Sequence, residues 1–358
     1  MKRLIYIGLS VLLLLLGSCE RRPLVDLNHT HYVRVYVDEA LPNVTMGFYN
    51  ESYARPHYQS PSVLRVALAD VETGKVIAER YLRNKGQDEK GLYFDGYIDV
   101  AAGTYSLMAY NFDTETTMVA FSENRRYAKA TTNEIASHLK ANIPSRYSRG
   151  ENGELIETDE KITYEPDHLF AANSEKVTVR HSEKVDTLLT EKGEYFTAQS
   201  IVRSYYMQVR VKGMQYASSS VGLLTGLSGS SWVNGQGMDL EDPITVYFEM
   251  VNNLTAGITK NASEDDVVTL YTTFSTFGKI PEAKNKLEIT FDFLTTYGKP
   301  YSETLDITDL FFTKEAIENQ WLLIDHPIVI PDPPSVGGGG GLQPDVEDWG
   351  DIETDIII

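Results

Sequence analysis

Short runs of period-two alternation, each broken by a turn signal, limit this chain's folds more than any other feature. Tyr32-Val33-Arg34-Val35-Tyr36-Val37 puts three valines on one face of an extended strand. Leu287, Ile289, Phe291 and Phe293 alternate with Glu288, Thr290 and Asp292, and Val246, Phe248 and Met250 repeat the pattern. Side chains of a strand alternate between faces, so each run reads as a half-buried strand. Between the runs stand turn formers such as Glu72-Thr73-Gly74-Lys75 and Tyr297-Gly298-Lys299-Pro300. The 22 tyrosines and 13 phenylalanines suit strands rather than helices. Many short strands joined by turns predict an all-β chain of stacked sheets, not a parallel α/β sheet. Helix is expected to be minor: one short surface helix from the capping pair Thr131 and Glu134 through Ile135, Ala136 and Leu139, and another within Thr313–Trp321.

The first residues carry a second constraint. Lys2 and Arg3 precede an apolar run from Leu4 to Leu16, and Gly17-Ser18-Cys19 follows. A basic start, a short apolar core and small residues form a signal peptide over residues 1–18. The run is shorter than the roughly 20 helical residues that span a bilayer. Leu16-Gly17-Ser18-Cys19 resembles the bacterial lipobox, which implies that the Cys19 thiol is acylated and anchors the chain by lipid. Cys19 is the one cysteine in 358 residues, so no disulfide forms within the chain. Loss of residues 1–18 removes Lys2 and Arg3 and no acid, moving the formal charge from −19 to −21. So acidic a chain is a poor partner for nucleic acid or an anionic membrane face.

The mature chain exceeds the usual size of one domain. We expect a lipidated tether over 19–27, a first sandwich over 28–175 and a second over 176–331, with the second opening at the strand Lys176-Val177-Thr178-Val179. A linker over 332–341 ends in five glycines, Gly337 to Gly341, and a C-terminal strand follows over 342–358. In that strand Ile352, Ile356 and Ile358 share a face, with Trp349 ahead of them. A strand on a flexible tether can add to a sheet edge, in its own chain or in a partner.

Tyr93-Phe94-Asp95-Gly96-Tyr97-Ile98-Asp99-Val100 followed by Ala102-Gly103-Thr104-Tyr105 resembles the first domain of Bacteroidales fimbrillin-like lipoproteins. Three further segments are similar to that family in the same order: Gly222 to Gly229, Thr273 to Gly278 and Leu305 to Asp309. The closing Val346-Glu347-Asp348-Trp349 and the isoleucine-rich end fit as well. The resemblance implies two tandem transthyretin-like β-sandwiches and a non-catalytic fimbrial role, as an anchor or accessory subunit without cofactor. It implies fimbrial or other surface proteins as partners, joined by a strand filling a groove, with the lipid in the outer membrane and the body at the cell surface. In such proteins an arginine cleavage opens the groove; here Arg34, Arg55 and Arg65 are the candidates.

Trp232, in the Gly/Ser-rich stretch around Gly229, is the candidate contact for a glycan or host ligand in an alternative, ligand-binding reading. Asp186-Thr187-Leu188 is similar to the O-glycosylation motif of exported Bacteroidales proteins, with Thr187 as acceptor. Gly103-Thr104-Tyr105 reads as a strand start. Gly226 to Ser230 lacks the strand-to-helix turn of a nucleophile elbow. His29 and His31 fall on one strand face, yet no third ligand is near in sequence, and no metal is expected. Asp239 to Asp242 and Glu264 to Asp266 lack the spacing of a calcium loop.

Overall fold

The computed structural model describes residues 29–39, 46–48, 51–53, 60–140, 143–149, 154–182, 184–250, 267–280 and 287–334. The first stretch of chain holds β1 (His29–Val37), β2 (Met46–Phe48), β3 (Glu51–Tyr53), β4 (Leu64–Asp70), β5 (Val76–Leu82), β6 (Asn84–Asp88), β7 (Gly91–Val100) and β8 (Gly103–Asn111). A connecting stretch follows with β9 (Thr117–Ala120), β10 (Lys129–Thr132), the single turn α1 (Ser137–Lys140), β11 (Tyr147–Arg149), β12 (Leu155–Glu157) and β13 (Lys161–Tyr164). Next come β14 (Phe170–Val179), β15 (Asp186–Thr187) and β16 (Phe196–Ser200). The rest comprises β17 (Arg203–Lys212), β18 (Ala217–Ser228), β19 (Ser230–Trp232), β20 (Gly237–Met238), β21 (Pro243–Glu249), β22 (Val267–Thr276), β23 (Glu288–Thr295), β24 (Pro300–Asp306), α2 (Lys314–Asn319) and β25 (Trp321–Val329). The chain is all-β, with helix confined to short connections.

One nine-stranded sheet runs β5-β4-β8-β14-β16-β1-β7-β6, with β15 added beside β1. It folds over on itself, because Val33, Val35 and Val37 of β1 share a core with Leu64, Val66 and Leu68 of β4 and with Val177 and Val179 of β14. The alternation read in β1 is therefore the inner face of this first body. The second body has a five-stranded sheet, β13-β21-β18-β23-β24, facing a three-stranded one, β22-β17-β25. Their shared core includes Val246, Phe248, Ile289, Phe291 and Phe293, the residues whose alternation marked these strands.

The division expected at residue 175 falls inside β14. Both halves of that strand pair with β8, from Ala171 opposite Tyr110 to Val179 opposite Gly103, across a bulge after Ser174. The run Lys176–Val179 thus belongs to the first body, and β16 returns there too, parallel to β1. Sheet membership is decided by pairing with β8 and β1, which no local pattern reveals. In the connecting stretch, Thr131 is not a helix cap. It lies in β10, opposite Met118 of β9 and Ser230 of β19, so the helix shrinks to the turn α1. The second expected helix is present as α2, and Thr313 caps it: its Oγ1 accepts a hydrogen bond from Ala316 N at 3.2 Å. That helix stops before Trp321 because Gln320 adopts the left-handed conformation at φ 52°.

Strand direction fixes two ends of the molecule. The junction between the bodies lies where β8 ends, β14 begins and β17 begins, around a small core of Tyr110, Leu169, Val202, Val233 and Phe277. β1 runs toward that junction, parallel to β16, so His29 stands at the opposite, base end of the first body. β17 runs away from it, and β25 runs parallel to β17, so Val329 leaves at the far end of the second body.

Candidate functional site

The junction is where the described chain concentrates its unusual chemistry. β10 of the connecting stretch pairs with β19 of the second body, setting Lys129 opposite Trp232 and Ala130 opposite Ser231. Together with β9 and β20 they form a four-stranded sheet that stitches the two bodies. The Lys129 ammonium stands 5.0 Å from the centre of the Trp232 ring and pairs with the Asp239 carboxylate. That cation–π and ion-pair arrangement sits on the half-buried face of the sheet. β13 adds a second stitch by lying parallel to β21, Lys161 opposite Ile244 through Tyr164 opposite Tyr247.

Beyond β13 the run Glu165-Pro166-Asp167-His168 threads the junction. The Asp167 carboxylate accepts the backbone N–H groups of Glu115, Thr116 and Thr117 at 2.8, 2.5 and 2.8 Å. Asn111 holds the next residues, its Oδ1 accepting from Phe170 N at 2.7 Å and its Nδ2 donating to the His168 carbonyl at 3.2 Å. Glu165 reaches across to the second body and accepts from Ser275 N at 2.8 Å. Burial, with a smaller push from Asp167, raises the Glu165 carboxyl to about 7 in spite of that hydrogen bond. Burial alone lowers the His168 imidazole to about 4. These groups border a cleft of about 960 Å³ whose wall, among the described residues, carries the carboxylates of Asp113, Glu115, Glu165, Asp167 and Glu249 and no lysine or arginine.

The residues singled out in the sequence are distributed differently. Cys19, Arg55, Glu264 to Asp266, and the tail residues Trp349, Ile352, Ile356 and Ile358 lie outside the described residues. Trp232 is not on a tip loop: it belongs to β19, where pairing to β10 and the Lys129 ammonium engage it. Thr187 lies in β15 beside Tyr32, on the outer face, while the next residue, Leu188, is buried in the first core. His29 and His31 occupy the core-side face of β1 at the base end, where the His29 ring meets that of His181 edge-on at 4.4 Å. Ser228 is buried, its hydroxyl 2.6 Å from the Asp239 carbonyl, and so serves the β18–β19 corner. Asp239 is the partner of Lys129 rather than part of a cation loop.

Both described candidate cleavage arginines lie within strands. Arg34, in the middle of β1, places its guanidinium 3.8 Å from the Tyr93 ring centre and donates to Tyr32 Oη at 2.9 Å. Its charge meets Asp88 at 3.3 Å and Asp95 at 3.4 Å. Arg65 is buried in β4 against Tyr110 and Glu79. Glu165, Asp167 and Lys129 are not marked by any local pattern, because each acts through a partner far away in the chain. The one available signal was Glu165-Pro166-Asp167, a proline that fixes a bend between two acids.

Comparison with known proteins gives this architecture a setting. Residues 78–249 match a family model described as a domain of unknown function, DUF5119. The chain is 27% identical over 279 residues, covering 71% of itself and 75% of the relative, to Fim4B of Bacteroides ovatus, named as a candidate fimbrium anchoring subunit. Among solved structures, a candidate adhesin from Bacteroides ovatus aligns with a TM-score of 0.55 at 21% identity, over 89% of this chain and 98% of that one. The fimbrial anchor protein Mfa2 of Porphyromonas gingivalis aligns more loosely, with a TM-score of 0.41 at 11% identity, over 84% and 91% of the two chains. The ordered segments read in the sequence, the all-β architecture and the match to Fim4B point the same way: the chain is similar to the Bacteroidales fimbrillin-like proteins.

Proposed function

We propose that this chain is a non-enzymatic fimbrial subunit of the anchor or accessory kind, held in the outer membrane by lipid on Cys19 and displayed at the cell surface. The observation that carries the reading is the likeness to a fimbrium anchoring subunit over 279 residues. The geometry supports it. The described chain begins at the base end, ten residues after Cys19, and its last strand leaves at the far end of the other body. An anchor needs that separation, with the membrane at one end and the fibre at the other.

The joining element in this reading is the tail, with Trp349, Ile352, Ile356 and Ile358 entering a groove or edge of a partner subunit. Arg34 and Arg65 are tied into strand ladders, which suits a subunit that ends a fibre without being opened by cleavage. Trp232 serves the junction rather than a glycan, and Thr187, on an outer face, is the place for a glycan to be attached. Co-purification tests the reading. Native membranes are crosslinked, and full-length protein is compared with a chain ending at Gly341. Recovery of fimbrial subunits with the first and loss with the second is expected. Recovery with both moves the joint from the tail to a sheet edge, and recovery with neither overturns the fimbrial role. Cys19→Ala should release the protein from the membrane fraction.

A further inference from the structure

We infer that the chain is built to bear tension between residue 29 and residue 330, with β1 and β25 as its two load-bearing strands. The direction of load rests on the anchor reading; the resistance rests on the ladders and the side chains that lock them. A force drawn from the base pulls β1 by its first residue, away from the junction. A force drawn from the far end pulls β25 by its last residue, again away from the junction. Each strand leaves its body along its own axis, so it must slide past its neighbours. Sliding loads every hydrogen bond of a ladder together, whereas peeling breaks them one after another.

Parallel pairing produces this arrangement at both ends. β1 is flanked on one side by β15 and β16, both parallel to it, from His31 opposite Asp186 to Val37 opposite Ala198. On the other side all nine of its residues pair with β7. β25 is parallel to β17, with six pairs from Tyr206 opposite Trp321 to Lys212 opposite Val329. The chain runs directly from β16 into β17, so the two parallel pairs stand in series along the covalent path. A hairpin loaded at its two adjacent ends would instead unzip from those ends toward its turn, one hydrogen bond after another.

Two features resist sliding of β1 in particular. On its inner face Val33, Val35 and Val37 are buried in the first core, and a slip by one residue would turn all three to the other face. On its outer face Arg34 is stacked on Tyr93 and charge-paired with Asp88 and Asp95, on the adjoining strands β6 and β7. A two-residue slip keeps the facing but carries Arg34 past both acids by roughly 7 Å. Among the described residues β25 has a ladder on one side only, with an irregular register between Val209 and Val211, so it yields first.

Single-molecule pulling on the mature chain tests this. The chain is produced without residues 1–18 so that the Cys19 thiol stays free of lipid; that thiol takes one handle and a C-terminal tag the other, which loads β25 along its length. In a second geometry Cys19→Ser is combined with Gln215→Cys, on the exposed turn just past β17, so that the same tag peels β25 from its last residue. The expected first rupture is β25 in both, at a force several-fold higher in the sliding geometry. Arg34→Leu should lower the later rupture of β1 and leave that of β25 unchanged. Equal forces in the two geometries, or separation of the bodies at the junction before β25 moves, overturns the inference. Loss of fimbrial partners with full resistance retained would strike the anchor reading alone.

Discussion

Glu165 and His168 lie three residues apart and are driven from their ordinary values in opposite directions, for the same reason of burial. Glu165 titrates near 7 when folded, against 4.5 as a free side chain, so the folded chain binds its proton more tightly. Its contribution therefore falls as pH rises from about 4.5 to about 7. His168 titrates near 4 when folded, against 6.5, so its contribution grows as pH rises through that window. The two slopes oppose one another over most of the acid range. Glu165→Gln removes the first and keeps an acceptor for Ser275 N. Melting curves from pH 4 to pH 8 should show the variant more stable than the parent above pH 7, with a steeper rise up to pH 6.5. Gly86 offers a second test, since a Cβ there would overlap the Tyr93 ring. Gly86→Val should push that ring from under Arg34 at a cost of about 1 kcal/mol. Because both changes break one contact, adding Arg34→Met should cost less than the two single effects together. None of these burial effects was legible in the sequence, which gives a residue's type but not its neighbours.

Strands were legible where one face is buried and the other wet. β1, β21 and β23 stand where alternation put them, because period two is imposed by the pleat itself. Pairing is not legible: no local pattern holds β14 together across residue 175, and β10 carries the spacing of a helix start. Thr131 and Glu134 do have the spacing of a capping box, but the ladder to β19 outweighs a cap worth about 1 kcal/mol. Trp232 was misplaced for the same reason, as a tryptophan among glycines and serines carries no mark of a partner strand about a hundred residues earlier. Its role in β19 has a measurable consequence. Trp232→Ala should lower stability by about 1–2 kcal/mol through lost packing and the lost Lys129 contact. Lys129→Met should cost less, and the pair should be non-additive in melting experiments.

At the scale of the molecule, the strand runs and the residues that fill the cores are legible in the sequence, but not how the chain divides among its sheets. It builds most of the first body and pairs β9–β10 and β13 with the second. It then returns for β14 to β16 and only afterwards completes the rest. The consequence is temporal. The chain is made from its N-terminus, and β1 is complete more than 150 residues before its parallel partner β16. During that interval Val33, Val35 and Val37 have no finished core to enter, and β1 lacks the neighbour for one of its edges. A chain stopped at residue 175 should accordingly show no cooperative melting transition, whereas the completed chain should. A nascent copy must be shielded by a chaperone until β16 arrives, and a secretion route that stalls inside this window would leave an aggregation-prone edge exposed.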